Sequence, residues 1–103
     1  MSEPTYEVVW PLSSRGAQRR KGAERLPTLD GRRVVFLWDY LFRGEELFPA
    51  LAGALRTRYP GVDIVDYDVV GNIHGADEQA VIASLPHRLG ELGADAVVVG
   101  MGC

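Results

Sequence analysis

The sequence predicts an α/β fold: the βαβαβ half of a doubly wound parallel sheet of the Rossmann or flavodoxin type, preceded by an extended N-terminal arm. Three observations predict it. Residues 34–38 (VVFLW) and most of residues 95–100 (DAVVVG) are continuously apolar, the pattern of strands covered on both faces. Two segments between them carry apolar residues three and four apart, the period of an amphipathic helix. Residues 62–70 (VDIVDYDVV) alternate apolar with acidic before turning apolar, which adds a strand between the helices.

The chain divides into residues 1–32, an N-terminal strand or arm with a basic loop, and residues 33–103, the α/β part. Residues 5–12 (TYEVVWPL) have strand-forming side chains and stop at a proline, which reads as an edge strand or an extended arm. The stretch that follows is polar and lacks an apolar period, so it reads as a loop. Seven of the eleven basic residues (Arg15, Arg19, Arg20, Lys21, Arg25, Arg32, Arg33) fall between positions 15 and 33. No aromatic side chains are interleaved with them and the rest of the chain is acidic, so this segment reads as a solvated loop and not as a nucleic-acid surface.

In residues 43–61 (RGEELFPALAGALRTRYPG), Leu47, Leu51 and Leu55 repeat every fourth position with Phe48 and Ala52 alongside, one face of a helix. Pro49 is tolerable there because it falls in the first turns, and Tyr59-Pro60-Gly61 closes the helix. Residues 71–75 (GNIHG) form a glycine-bounded loop. Residues 76–93 repeat the helical stripe at Val81, Leu85, Leu89 and Leu92, with acidic residues in the first turn where the helix dipole favours them. Pro86 is expected to kink or split this helix.

Parallel strands joined by right-handed crossovers bring every strand-to-helix loop to one rim, where ligands bind. Residues 39–44 (DYLFRG), 71–75 (GNIHG) and 100–103 (GMGC) occupy that rim, the first strand lying between the other two. Asp39, Tyr40 and Arg43 follow the first strand, and Arg43 at a helix start is suited to a carboxylate; read plainly, they are a helix cap and a surface arginine. Asn72 and His74 are a candidate polar pair, with His74 an acid, a base or a plain turn histidine. Gly100 and Gly102 open a G-x-G turn, too short and too late in the fold to read as a dinucleotide fingerprint. His87 reads as surface. No ligand pair at metal spacing occurs, and neither a metal nor a cofactor is expected.

The composition is that of a packed domain, 47% hydrophobic over 103 residues with a formal net charge of −3. No secretory leader and no apolar run long enough to span a bilayer is visible, so a cytoplasmic location is expected. The single cysteine, Cys103, cannot form an internal disulfide; it is a small hydrophobe, a reactive thiol, or half of a pair. A strand that is apolar on both faces requires a helix after it, so the chain is expected to be the first half of a longer protein. Val97 to Val99 would then present an open apolar face and favour a partner subunit or self-association.

From residue 6 onward, through FLWDYLFRGEELFPAL, YPGVDIVDYDVVGNIHG and ADAVVVGMGC, the sequence resembles the UGSC-motif proteins. In that family the third strand runs through a G-x-G turn into selenocysteine or cysteine, then Gly-Ser-Cys. A more distant similarity reaches the selenoprotein subunits of the glycine and D-proline reductases. The resemblance implies a thiol- or selenol-dependent oxidoreductase acting on a small molecule, with Cys103 as a catalytic thiol at the start of the next helix. It also implies that a UGA selenocysteine codon read as a stop ends the chain at Cys103; a frameshift or a deliberate cut gives the same ending. The alternative is a non-enzymatic α/β domain that binds a small ligand or a partner through its three rim loops.

Overall fold

The computed structural model describes residues 3–9 and 19–102. Val34, Val35, Phe36, Leu37 and Trp38 leave no polar face on a strand, and β1 (Arg33–Trp38) accordingly lies at the centre of the sheet with all five buried. On one side it pairs in parallel with β2 (Asp63–Val65), and on the other with β3 (Ala96–Gly100), giving the order β2-β1-β3. α1 (Gly44–Arg58) and α2 (Glu78–Leu92) are the crossovers. The expected βαβαβ half-fold is therefore present, with its first strand central.

Strand alternation divides the apolar side chains between two faces. Val34, Phe36 and Trp38 form one cluster with Phe48 and Ala52 of α1 and with Val62. The register sets Ala96, Val98 and Gly100 on that same side, and Val97 and Val99 beside Val35 and Leu37 on the other. The crossover from β1 to β2 and the one from β2 to β3 run in opposite directions across the sheet, so equal handedness places their helices on opposite faces. On α2, Val81, Leu85, Leu89 and Leu92 are half-buried and most of the residues between them exposed, as the stripe predicts. Gly93 ends that helix with φ 66°, a left-handed cap that suits glycine.

Three expectations are corrected. Residues 62–70 are not one strand: β2 stops at Val65, because the Asp66 carboxylate accepts the Tyr67 N–H at 2.8 Å and residues 66–71 close a turn. Pro86 does not split α2, which runs through it unbroken. Pro86 and Ile82, whose carbonyl loses its partner, are both exposed, and water can take the free acceptor. Leu47 is 51% exposed and lies outside the core, which α1 builds from Phe48 and Ala52.

At the edge away from the rim, Arg33 Nε pairs with Asp63 at 2.7 Å and its guanidinium donates to the Leu92 carbonyl at 2.6 Å, tying β2 and the end of α2 to β1. Leu29 packs against the core ahead of β1. Residues 3–9 form no strand, and Tyr6, Val8 and Val9 are among the most exposed apolar side chains. The remainder of the expected arm, residues 10–12, and part of the basic loop including Arg15 lie outside the described residues. Among the described residues no helix is long and apolar enough to cross a membrane.

Candidate functional site

β1 and β3 end side by side, and their ladder continues one step past β1, where the Asp39 N–H donates to the Gly100 carbonyl at 3.1 Å. The Asp39 side chain then turns across the gap. Its Oδ1 accepts the N–H of Met101 at 3.0 Å and of Leu41 at 3.2 Å, and its Oδ2 accepts the N–H of Gly102 at 3.1 Å. Asp39 is only 7% exposed, a buried polar side chain among the described residues. Burial by itself raises the pKa of a carboxyl group. Here the hydrogen bonds from Met101, Leu41 and Gly102 outweigh it and hold Asp39 below its ordinary value, ionised near neutrality. The carboxylate is thus a clamp that fixes the turn leaving β3.

The loop after β1 is held in an uncommon shape. Tyr40, Phe42 and Arg43 all have positive φ (63°, 59° and 59°), each a strained conformation for a side-chain-bearing residue. Two hydrogen bonds to Leu41 pin it, one from its N–H to Asp39 and one from the Trp38 indole N–H to its carbonyl at 2.9 Å. Tyr40 stacks on Trp38 with centroids 4.3 Å apart, and Tyr67 meets both rings edge-on at 4.8 and 5.8 Å. Burial, then the charges of Asp66 and its neighbours, push the Tyr67 hydroxyl above the ordinary tyrosine range.

The loop after β2 reaches the same rim. Asn72 bridges to Trp38, the Ile73 N–H donates to the Trp38 carbonyl at 3.3 Å, and Asn72 Oδ1 accepts the His74 N–H at 2.9 Å. The Asn72 side chain therefore shapes its own loop, an Asx turn. His74 Nδ1 lies 3.1 Å from Glu78 in an exposed pair at the start of α2. Arg43 turns to Glu46 at 2.7 Å on the surface.

Of the expected site residues, Asp39, Gly100 and Gly102 are in direct contact, and Tyr40 and Asn72 join them through Trp38. Gly100 lies over Phe48: a Cβ there would sit 3.4 Å from the ring. Gly102 has φ 77°, a conformation glycine adopts without strain. Cys103 lies outside the described residues. Trp38 and Tyr67 were not singled out from sequence. Trp38 reads as the last residue of a core strand, and Tyr67 is hidden in a segment whose alternation imitates a strand; its one visible mark is the acidic residue on either side.

In the sequence comparison, the profile of the UGSC family matches residues 7–103. The chain belongs to the UGSC family. No curated protein and no solved structure matches it. Among the described residues of this UGSC-family chain, no three His, Cys, Asp or Glu side chains converge as a metal site would require.

Proposed function

We propose that this chain forms the N-terminal part of a cysteine- or selenocysteine-dependent redox protein. The carrying observation is the Asp39 clamp: a buried carboxylate is committed to the backbone of Met101 and Gly102, the two residues that precede Cys103. Burying a carboxylate is costly unless several donors meet it, and the return is a turn held in one geometry. A fixed turn is what a nucleophile placed after it needs, because misplacement of the reacting atom by about 1 Å costs roughly 100-fold in rate. Family membership supports the same reading, since the resemblance puts the selenocysteine or cysteine of the motif directly after such a G-x-G turn.

In this reading a thiolate or selenolate acts as nucleophile, and a later cysteine resolves the mixed bond it forms. In this proposal Tyr40, Asn72 and His74 are the rim groups that contact a small-molecule substrate. The likeness to the amino-acid reductase subunits points to a substrate presented by a partner subunit. The rival reading, an anion-binding domain without chemistry, is weaker. Arg43, the basic side chain at this rim loop, is paired with Glu46.

Thiol reactivity tests the proposal. The 103-residue chain, in which the terminal carboxylate opposes the Cys103 thiolate, is expected to alkylate no faster than a small free thiol at the same pH. The chain continued with Cys-Gly-Ser-Cys should react much faster, slow when the first added cysteine is serine, and slow partly with Asp39→Asn. Equal rates in all four proteins would refute the redox reading, as would strong activation of Cys103 in the 103-residue chain.

A further inference from the structure

The loops that follow β1 and β2 hold an aromatic ring on the rim with one face open. One face of Tyr40 lies on the Trp38 indole, with centroids 4.3 Å apart and 17° between the planes. Tyr67 lies 4.8 Å from Trp38 but 5.8 Å from Tyr40, at 71° and 87° to them. These distances set Tyr67 beside the stack, on the Trp38 side, so it does not cover the second face of Tyr40. Tyr40 is 41% exposed although it is anchored on a buried tryptophan. Among the described residues the guanidinium that lies over a tyrosine ring is Arg58, over Tyr59 at 5.6 Å, and none lies over Tyr40.

The charge around this ring is of one sign. Glu45 stands in the first turn of α1, just after the Tyr40 loop, and Asp66 and Asp68 flank Tyr67 in the turn after β2. All three bear on the Tyr67 hydroxyl: burial first, then Asp66, Tyr40, Asp68 and Glu45, push its pKa up. The cations nearby are engaged elsewhere. Arg43 turns to Glu46 at 2.7 Å, His74 faces Glu78 at 3.1 Å, and Arg88, reaching over from α2, donates to the Val69 carbonyl. An aromatic face is itself negative through its quadrupole, so a cation over Tyr40 is attracted by ring and carboxylates together, and an anion is repelled by both.

We propose that Tyr40 seats the cationic head of a small organic molecule, an alkylammonium, over its outer face and in the field of the Glu45, Asp66 and Asp68 carboxylates. An alkylammonium suits the seat better than a metal ion. It offers apolar surface to the ring, and it needs no converging set of ligands, which the described residues do not supply. Trp38, which carries Tyr40, is paired in the sheet with Gly100, so the seat lies one strand away from the turn that Asp39 clamps. That the bound molecule is the substrate rests on the redox reading above; the seat itself does not.

Nuclear magnetic resonance titration of the 103-residue chain tests this, with choline as the probe and its uncharged dimethylbutanol isostere as the control. Choline is expected to bind about 5-fold more tightly than the isostere and to shift the Tyr40 ring resonances. Tyr40→Leu should bring the two affinities together, whereas Tyr40→Phe, which keeps the ring, should keep the preference. Glu45→Gln, an exposed change, should reduce the preference by about 2-fold, an effect that fades at high salt. All three variants should retain the wild-type circular dichroism spectrum. Equal binding of choline and isostere by wild type would overturn the proposal. So would a preference that survives Tyr40→Leu with the fold intact, or one that is lost in Tyr40→Phe. The alkylation rates judge the redox reading separately: choline binding with equal rates in all four proteins leaves the seat and removes its role in redox chemistry, and fast alkylation without choline binding removes the seat alone.

Discussion

Truncating Phe48 should weaken the fold and loosen the rim together, because one ring supports both. Phe48 is 2% exposed, its centroid lies 5.0 Å from Phe36, 5.6 Å from Tyr67 and 6.2 Å from Trp38, and its tip lies beneath Gly100. Removing such a ring to leave alanine costs roughly 3–5 kcal/mol, the transfer energy of the lost atoms plus the cavity left behind. An α/β part of about 70 residues, such as residues 33–102, has a total stability of roughly 4–10 kcal/mol. Phe48→Ala therefore removes close to half of it. With a urea slope of about 1.5 kcal/mol per molar, the midpoint falls by about 2–3 M. Phe48→Leu keeps most of the volume and forfeits the aromatic contacts, and should cost about 1–2 kcal/mol. The assay is urea unfolding followed by tryptophan fluorescence, with hydrogen exchange at Met101 and Gly102 measured under native conditions. Exchange should accelerate in step with the loss of stability. A cost below about 1 kcal/mol for Phe48→Ala would refute the reasoning, since α1 would then not be seated on β1 and β3 as described.

Three further outcomes are expected. In Asp39→Asn one of the two acceptor oxygens becomes a donor group, so an N–H among Met101, Gly102 and Leu41 loses its partner and exchanges faster, with the secondary structure intact. Because the folded pKa of Asp39 is lowered, the clamp contributes fully above the ordinary aspartate value of about 3.9 and is lost as pH falls through the lower folded value; the acid limb of the stability curve should therefore flatten in Asp39→Asn, and an unchanged limb would count against the clamp. In Gly44→Ala the added Cβ would overlap the Trp38 indole, so the variant should lose roughly 1–3 kcal/mol and shift the tryptophan emission, whereas Gly53→Ala, with open space around it on the same helix, should do neither.

What the sequence determined by itself was the set of elements and their order. Short continuous apolar runs at residues 34–38 and 96–99, rich in β-branched side chains, indicate strands, and the stripes at Phe48, Ala52, Val81, Leu85 and Leu89 indicate helices laid on a sheet. The parallel sheet with β1 in the middle follows from those elements and the handedness of their connections. The sequence also indicated that Asp39, Gly100 and Gly102 share a rim, since chain direction alone brings the strand ends together.

Tertiary structure decided the tasks of the individual side chains. Residues 62–70 alternate as a strand would, yet the local bond from the Tyr67 N–H to Asp66 competes with the ladder and wins after three residues, freeing Tyr67 to fold back against Trp38. Pro86 is accommodated in its helix at an exposed position, where water can take the Ile82 carbonyl that it leaves without a donor. Asp39 looked like a helix cap or a substrate contact, because a lone carboxylate in sequence carries no record of what will donate to it. Its donors, Met101 and Gly102, lie 62 and 63 residues away. A hydrogen bond of that span exists only after β1 and β3 have paired, so no local pattern could encode it.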